Sequence, residues 1–160
     1  MIKVLKFGGT SVGSAANMKK VAEIVRREQA RITVLSAMSG TTDSLVRISR
    51  AAASGDRNAI EEQLAMLTDK YTRCIEELLR ERKQQALARM NATFGLIRDE
   101  AAAFAEYESE RKIIAQGELL TSAIFTAYLQ ETGLKAECLY SPDFMVKDPG
   151  EKVDTERIGR

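Results

Sequence analysis

The stretch VLKFGGTSV, residues 4 to 12, contains the pattern that decides the fold. It begins with apolar residues typical of a strand and runs into two adjacent glycines, with Lys6 just ahead of them. Adjacent glycines let the backbone approach another group closely, and a neighbouring lysine favours a group that is anionic. The stretch therefore predicts a strand that ends in an anion-binding loop.

A helix and a second strand follow this loop. The first strand is predicted over Ile2–Lys6, and Ser14 or a neighbour can cap the helix. The β-branched stretch Arg31–Ser36 predicts the second strand. The helix carries apolar residues at helical spacing: Met18, Val21, Ala22 and Val25. Together these elements predict a βαβ unit with parallel strands and a right-handed crossover.

The middle of the chain predicts a helical insert over about residues 55–109. Its apolar residues step by three or four, which fits two antiparallel helices that turn near residues 80–86. No glycine or proline marks that turn, so a long coiled-coil arm is the alternative. A further helix, apolar on nearly every side and therefore buried, is predicted over Arg111–Glu131. The stretch KAECLY, residues 135–140, predicts a third strand, and the polar tail predicts a loop.

Composition limits the classes of partner. The chain has 24 basic and 23 acidic residues, so no net field favours nucleic acid or a membrane surface. The sequence contains no run of about 18 apolar residues, so no membrane span is predicted. Cys74 and Cys138 lack metal-site spacing and predict free thiols in a cytoplasmic protein. The chain contains no histidine, so any mechanism must work without one.

The two predicted strands place two polar loops at one edge of the sheet. Because parallel strands end on the same edge, KFGGTS (residues 6–11) and SAMSGTT (residues 36–42) should be neighbours in space. Both loops precede helices, whose first amide groups favour negative charge. The sequence is neither a Walker A motif nor GxGxxG, since Ser14 occupies the position of the Walker lysine. A phosphate-binding loop is one interpretation, and a glycine-rich turn beside a solvent-exposed lysine is the other.

A carboxylate interrupts the apolar pattern of the last long helix at Glu118. Acidic residues are rarely buried without a partner. Lys6 could supply that partner as a structural ion pair, or a ligand ammonium group could. Hydroxyl groups in the second loop could contact a ligand or cap the following helix, and their residues are Ser36, Ser39, Thr41 and Thr42.

Three motifs give the chain a resemblance to the aspartate kinase branch of the amino acid kinase family. They are VLKFGGTSV (residues 4–12), VLSAMSGTTDSLV (residues 34–46) and GELLTS (residues 117–122), in the family's order and at compatible distances. The resemblance implies an α/β amino acid kinase (carbamate kinase-like) fold, with a parallel sheet, flanking helices and a helical hairpin insert. It covers nearly the whole chain and is weakest in the hairpin and the tail.

The resemblance also implies an activity. The family transfers phosphate from ATP·Mg²⁺ to the β-carboxylate of L-aspartate, which leads to lysine, threonine and methionine. By this resemblance, Lys6 neutralises charge on the transferred phosphoryl group. The backbone of Gly8 and Gly9 lies against the phosphates, and Thr10 and Ser11 line the same loop.

The acceptor side of the site follows from the same resemblance. Ser36 and Thr42 match positions that contact substrate and phosphate, and Glu118 matches the residue that binds the aspartate ammonium group. The acceptor carboxylate is already ionised at pH 7, so positioning and charge neutralisation can carry the catalysis without a general base. No metal ligand is identified in the chain itself.

The chain also lacks segments that the resemblance would supply. A GRGGSD-type segment, a TDVDGVYTxDP-like segment for the nucleotide and the regulatory ACT domains are absent from it. Residues 1–160 therefore resemble the substrate-side part of a kinase domain, which we expect to be inactive alone and part of a homo-oligomeric parent. The alternatives are another acceptor, such as glutamate, acetylglutamate or carbamate, and a non-catalytic binding or assembly module.

Overall fold

The protein is described by a computed structural model over residues 2–145. Two short parallel strands and six helices follow one another along these residues. Their bounds are β1 Val4–Phe7, α1 Ala15–Glu28, β2 Ile32–Leu35, α2 Thr41–Ser54, α3 Arg57–Leu78, α4 Lys83–Ala102, α5 Glu106–Glu131 and α6 Ser141–Phe144. The architecture is mostly helical around a small parallel sheet, which agrees with the predicted arrangement of a parallel sheet, flanking helices and a helical hairpin.

The βαβ unit at the N-terminus is confirmed. Strand β1 pairs with β2 in parallel, and Lys6 lies opposite Val34 in the register. Helix α1 begins after Ser14, whose side-chain oxygen accepts a hydrogen bond from the amide of Asn17. This cap satisfies one of the amide groups that the first helical turn leaves unpaired.

The insert is a helical hairpin, so the coiled-coil alternative is wrong. Helices α3 and α4 pack against each other and are joined by residues 79–82. The Tyr71 ring meets the Phe94 ring edge to face at 6.0 Å, and Arg98 pairs with Glu61 nearer the other end. Between these two contacts the residue number falls along α3 and rises along α4, so the two helices are antiparallel.

The third strand predicted over residues 135–140 is wrong. These residues belong to neither strand nor helix. The Ala136 carbonyl, which a sheet would use, instead accepts a hydrogen bond of 2.7 Å from the side-chain amide of Gln130. The tail predicted as a loop begins with the short helix α6 and otherwise lies outside the described residues.

Helix α5 begins five residues earlier than predicted and ends at Glu131 as predicted. One side of it is buried in the single hydrophobic core, through residues such as Ile113, Leu120 and Ile124. Its other side is only partly covered, so the expectation of a helix buried all round is wrong. In the described part of the chain, no helix combines the length and the apolar character needed to cross a membrane.

The two faces of the sheet differ. Leu5, Phe7 and Leu35 pack against the core. The opposite face carries exposed apolar side chains: Val4 at 57%, Ile32 at 47% and Val34 at 46% exposure. Both faces of a parallel sheet are normally covered, so the described residues leave one layer of this sheet uncovered.

Candidate functional site

The glycine loop between β1 and α1 comprises Gly8 to Gly13 and is held by its own backbone. The amide of Ser11 donates to the carbonyl of Gly8 at 3.0 Å. The side-chain amide of Asn17, one turn into α1, donates to the carbonyl of Thr10 at 2.9 Å. Within residues 2–145, the amides of Gly9 and Thr10 donate to no other group. The loop therefore presents free amide donors at the start of a helix, as anion-binding loops do.

The second loop, Ser36 to Gly40, lies directly against the glycine loop. Its Ser36 amide donates to the Phe7 carbonyl at 3.1 Å, and its Ser39 amide donates to the Gly9 carbonyl at 3.1 Å. A β-carbon at Gly9 would lie only 2.7 Å from the carbonyl oxygen of Ala37. The prediction that the two loops are neighbours in space is thus confirmed, and their closeness requires glycine at position 9.

Helix α2 starts without a side-chain cap. Its N-cap is Gly40, in the left-handed conformation at φ 77°, so none of the loop hydroxyls caps the helix. Thr42 is exposed in the first turn, and Ser36 is half-buried. The capping interpretation of these hydroxyl groups is therefore wrong.

Helix α5 brings the third motif to the same place. A β-carbon at Gly117 would lie 3.0 Å from side-chain atoms of Leu45 and Thr41 and 3.1 Å from that of Ala37. Four residues on, the Thr121 hydroxyl accepts a hydrogen bond of 3.1 Å from the amide of Met38. Gly117 and Thr121 therefore seat α5 against the second loop.

Lys6 and Glu118 have no ion pair with each other within residues 2–145, although both are described. Both side chains are exposed, so the expectation that Glu118 is a buried acid is wrong, and so is the structural ion pair. Lys6 lies on the open face of the sheet, and Glu118 lines a groove of about 730 Å³. Both side chains are accessible to a ligand, and Lys6 is not among the residues that line the groove beside Glu118.

The groove beside Glu118 runs along the outer edge of β2. It is bounded by β2, by one side of α5 and by the segment of residues 134–139. Ser122 of the third motif also lines it, one turn after Glu118. The GELLTS motif thus divides between two roles, because its Gly117 and Thr121 pack inward while Glu118 and Ser122 face the groove.

Sequence reasoning missed a polar group at the centre of the core. Tyr71 and Thr121 are 0% exposed and Thr41 is 1% exposed, and their hydroxyl groups are joined by hydrogen bonds. Tyr71 occurs among the apolar steps of α3, where the pattern indicates only packing. The available signal was its hydroxyl group, since a buried tyrosine requires a hydrogen-bond partner.

Burial shifts the pKa values of Tyr71 and Lys70, two groups at this buried polar site. Burial raises the pKa of Tyr71, although its hydrogen bonds with Thr121 and Thr41 act in the other direction. Burial lowers the pKa of the neighbouring Lys70, whose ammonium group donates to the Ser39 carbonyl and to Thr41 Oγ1. Tyr71 is therefore a neutral hydrogen-bonding group at pH 7.

No cluster of three or more potential metal ligands occurs in the part of the chain that the structure describes. Cys74 is buried and Cys138 is half-buried, and neither forms a disulfide, as predicted. The site is therefore built from backbone amides, hydroxyl groups and two exposed charges.

Comparison with known proteins agrees with this geometry. The family model for the amino acid kinase family matches residues 1–159. An aspartokinase from Chlamydia muridarum is 30% identical over 146 residues, which are 91% of this chain and 31% of that protein. Chloroplastic aspartokinase 1 from Arabidopsis thaliana is 35% identical over 149 residues, covering 83% of this chain and 24% of that protein.

Solved structures share the fold. Escherichia coli aspartokinase III in complex with lysine and aspartate superposes with a TM-score of 0.87 at 24% identity, over 98% of this chain and 36% of that chain. The same enzyme in complex with aspartate and ADP superposes with a TM-score of 0.83 at 24% identity, over 99% of this chain and 36% of that one.

The chain belongs to the amino acid kinase family. The sequence relatives at 30% and 35% identity are aspartokinases, which confirms the resemblance carried by the three motifs. The chain spans about a quarter to a third of the length of these relatives.

Proposed function

We propose that the protein containing this chain is an aspartate kinase. It transfers the γ-phosphoryl group of ATP to the β-carboxylate of L-aspartate and forms 4-phospho-L-aspartate, the first step toward lysine, threonine and methionine. Residues 1–160 are the substrate-side part of its kinase domain, and the nucleotide-binding part and ACT domains belong to the longer protein. It acts in the cytoplasm as a homo-oligomer.

The observation that carries the proposal is the contact between the two loops that follow the parallel strands. The bond from the Ser39 amide to the Gly9 carbonyl places two helix N-termini side by side at one edge of the sheet. Free amides at this edge suit an anion such as a phosphoryl group. The half-buried Ser36 and the exposed Thr42 flank the same loop and suit contacts to substrate and phosphate.

The two exposed charged residues, Lys6 and Glu118, have separate roles in the site. Lys6 lies in β1 just before the glycine loop and neutralises charge that develops on the transferred phosphoryl group. Gly8 and Gly9 let the backbone approach the phosphates, with Thr10 and Ser11 beside them. Magnesium enters with ATP as part of the substrate complex, and its charge lowers the repulsion between the nucleotide and the acceptor carboxylate.

Glu118 selects the acceptor. Its exposed carboxylate lines the groove and forms no ion pair within residues 2–145, so it suits the ammonium group of an amino acid. The relatives at 30% and 35% identity are aspartokinases, which favours aspartate over glutamate, acetylglutamate or carbamate as the acceptor.

Kinetics of the full-length protein test the acceptor. We expect Glu118→Gln to raise the KM for aspartate at least tenfold with little change in kcat, because it removes binding present in the ground state. Glu137→Gln is the matched control, since Glu137 is exposed in the same groove. An unchanged KM in the Glu118 variant would refute the ammonium assignment, and turnover of another acceptor instead of aspartate would refute the substrate.

A second pair of variants tests the phosphoryl side. Lys6→Ala should lower kcat by about 100-fold or more, because its charge is needed most as the phosphoryl group transfers. Lys3→Ala is the control: Lys3 is also exposed near β1, and its ion pair with Glu28 is a surface pair of small energetic value. Equal kcat values in the two variants would contradict the role of Lys6.

A further inference from the structure

Five residues form a continuous hydrogen-bonded chain through the core, from the helical hairpin to helix α5. The Lys70 ammonium group donates to Thr41 Oγ1 at 3.3 Å, and Thr41 Oγ1 lies 3.3 Å from the Tyr71 hydroxyl. The Tyr71 hydroxyl lies 3.1 Å from Thr121 Oγ1, which donates to the Gly117 carbonyl at 2.8 Å. We call this set the hydroxyl chain.

The direction of each bond in the hydroxyl chain follows from counting protons. A hydroxyl group has one proton to donate and two lone pairs to accept. The Gly117 carbonyl lies 2.8 Å from Thr121 Oγ1 and 3.5 Å from the Tyr71 hydroxyl, so Thr121 donates to it and Tyr71 donates to Thr121. Tyr71 then accepts from Thr41, and Thr41 accepts from the Lys70 ammonium group. Every member is satisfied in one consistent direction, an arrangement in which neighbouring bonds strengthen one another.

The hydroxyl chain holds the backbone of the second loop at two points. Thr121 Oγ1 accepts from the amide of Met38 at 3.1 Å, and Lys70 donates to the carbonyl of Ser39. The amide of Ser39 in turn donates to Gly9 in the glycine loop. Tyr71 is thus one hydrogen bond from Thr121 and two from the loop that carries the candidate substrate contacts.

We propose that Tyr71 and Lys70 of the helical hairpin are positioning residues, which fix the second loop against the glycine loop through the hydroxyl chain. The proposal rests on the proposed function for its kinetic consequence. Neither residue is among the candidate substrate contacts, and both act through Met38 and Ser39. Since small displacements of aligned groups reduce phosphoryl transfer strongly, the hairpin contributes to turnover and not only to packing.

Removal of single hydroxyl groups in the full-length protein tests the proposal. Tyr71→Phe keeps the ring contact with Phe94 and removes only the central hydroxyl. We expect kcat to fall by about 10- to 100-fold with little change in the KM for aspartate, because the loop loses its alignment for transfer. Tyr128→Phe is the matched control, since its hydroxyl forms no hydrogen bond within residues 2–145.

A conservative pair separates positioning from packing. Thr121→Val removes the hydroxyl and should lower kcat as Tyr71→Phe does. Thr121→Ser keeps the hydroxyl and should retain most of the wild-type kcat. Amide hydrogen exchange of the peptide covering residues 36–42 gives a readout that needs no turnover. We expect exchange at Met38 and Ser39 to be about tenfold faster in Tyr71→Phe than in the wild type.

The outcomes distinguish this proposal from the proposed function. If the wild type phosphorylates aspartate and Tyr71→Phe matches it in kcat and in amide exchange, only the positioning role is refuted and the proposed function stands. If the wild type turns over no aspartate, the proposed function is refuted, and the exchange of residues 36–42 still decides the positioning role. A thermal destabilisation of Tyr71→Phe with unchanged kcat and exchange would assign Tyr71 to packing and overturn the proposal.

Discussion

The carbonyl oxygen of Gly9 accepts a hydrogen bond of 3.1 Å from the amide of Ser39, across two loops that are about 30 residues apart in sequence. This bond joins the ends of β1 and β2 beyond the sheet itself. Because it connects backbone atoms, its geometry depends on how closely the two loops can approach. The absence of a side chain at position 9 therefore allows the two loops to meet at this edge.

We expect Gly9→Ala to disrupt this edge. Its β-carbon would lie 2.7 Å from the Ala37 carbonyl, so the second loop must shift. A shift of this kind should lower kcat/KM by about 100-fold and reduce thermal stability. Gly8→Ala, with no atom within 4 Å of the added carbon, should leave the thermal stability unchanged. Wild-type kcat/KM in Gly9→Ala would show that the loops need no close contact.

Two helical glycines should respond to alanine in opposite directions. Gly95 in α4 has no atom within 4 Å of an added β-carbon, so Gly95→Ala should raise the free energy of unfolding by about 0.5–1 kcal/mol. Gly117 in α5 is surrounded at 3.0–3.1 Å, so Gly117→Ala should lower it by about 1–2 kcal/mol despite the better helix propensity. Thermal unfolding of both variants checks the signs, and a stabilised Gly117→Ala would mean that α5 can move away from the second loop.

The carboxylate of Glu131 holds the turn of the hairpin. Its two oxygens accept hydrogen bonds from the amides of Arg80, at 2.7 Å, and Arg82, at 3.1 Å. Glu131→Gln replaces one acceptor oxygen by a donor and should cost about 1 kcal/mol of stability. Glu81→Gln, an exposed change in the same turn, is the control and should be neutral. Denaturant unfolding measures both, and equal values would argue that the turn needs no cap.

Burial raises the pKa of the Cys74 thiol from 9.0 to about 11, with Glu77 adding to the effect and Lys70 opposing it. Because the folded-state pKa is the higher one, the stability that Cys74 contributes is complete below pH 9 and declines as the pH rises from 9 toward 11. The wild type should lose about 1 kcal/mol more than Cys74→Ala between pH 9 and pH 10. Denaturant unfolding at both pH values checks this, and parallel losses would contradict it.

Thiol labelling gives an independent check of the same burial. At pH 8, iodoacetamide should modify the half-buried Cys138 well before the buried Cys74, because the thiolate is the reactive form and must be accessible. Mass spectrometry after timed labelling measures both sites. Faster labelling of Cys74 in the folded protein would show that α3 opens readily.

The parts of the fold that sequence reasoning predicts well are those that depend on local pattern. The βαβ unit follows from β-branched runs, a glycine loop and the Ser14 cap, all within one stretch of chain. The third strand fails because a strand needs a hydrogen-bonding partner, and the Ala136 carbonyl bonds to the Gln130 side chain instead. Composition alone does not report such a competitor.

The candidate site also combines features that local pattern predicts with features that depend on packing. The glycine loop and the second loop are recognisable from their residues, and parallel pairing brings them together. The exposure of Glu118 could not be predicted from the pattern, because its apolar neighbours Phe125 and Leu129 line the same groove and are buried, whereas Glu118 is exposed. The partners of Tyr71 are 30 and 50 residues away in sequence, so their meeting depends on how three helices pack.

The hairpin α3–α4 has the least distinctive sequence of the chain, yet it supplies two members of the hydroxyl chain. An engineer who shortens this protein to a minimal kinase would choose that hairpin for deletion, since it carries no recognisable motif. Such a truncation would remove both hydrogen-bond partners of the Thr41 hydroxyl group, Tyr71 and Lys70, whereas Thr121 would keep Gly117 and Met38. A shorter scaffold would therefore need a new partner for Thr41 before any attempt to recover turnover.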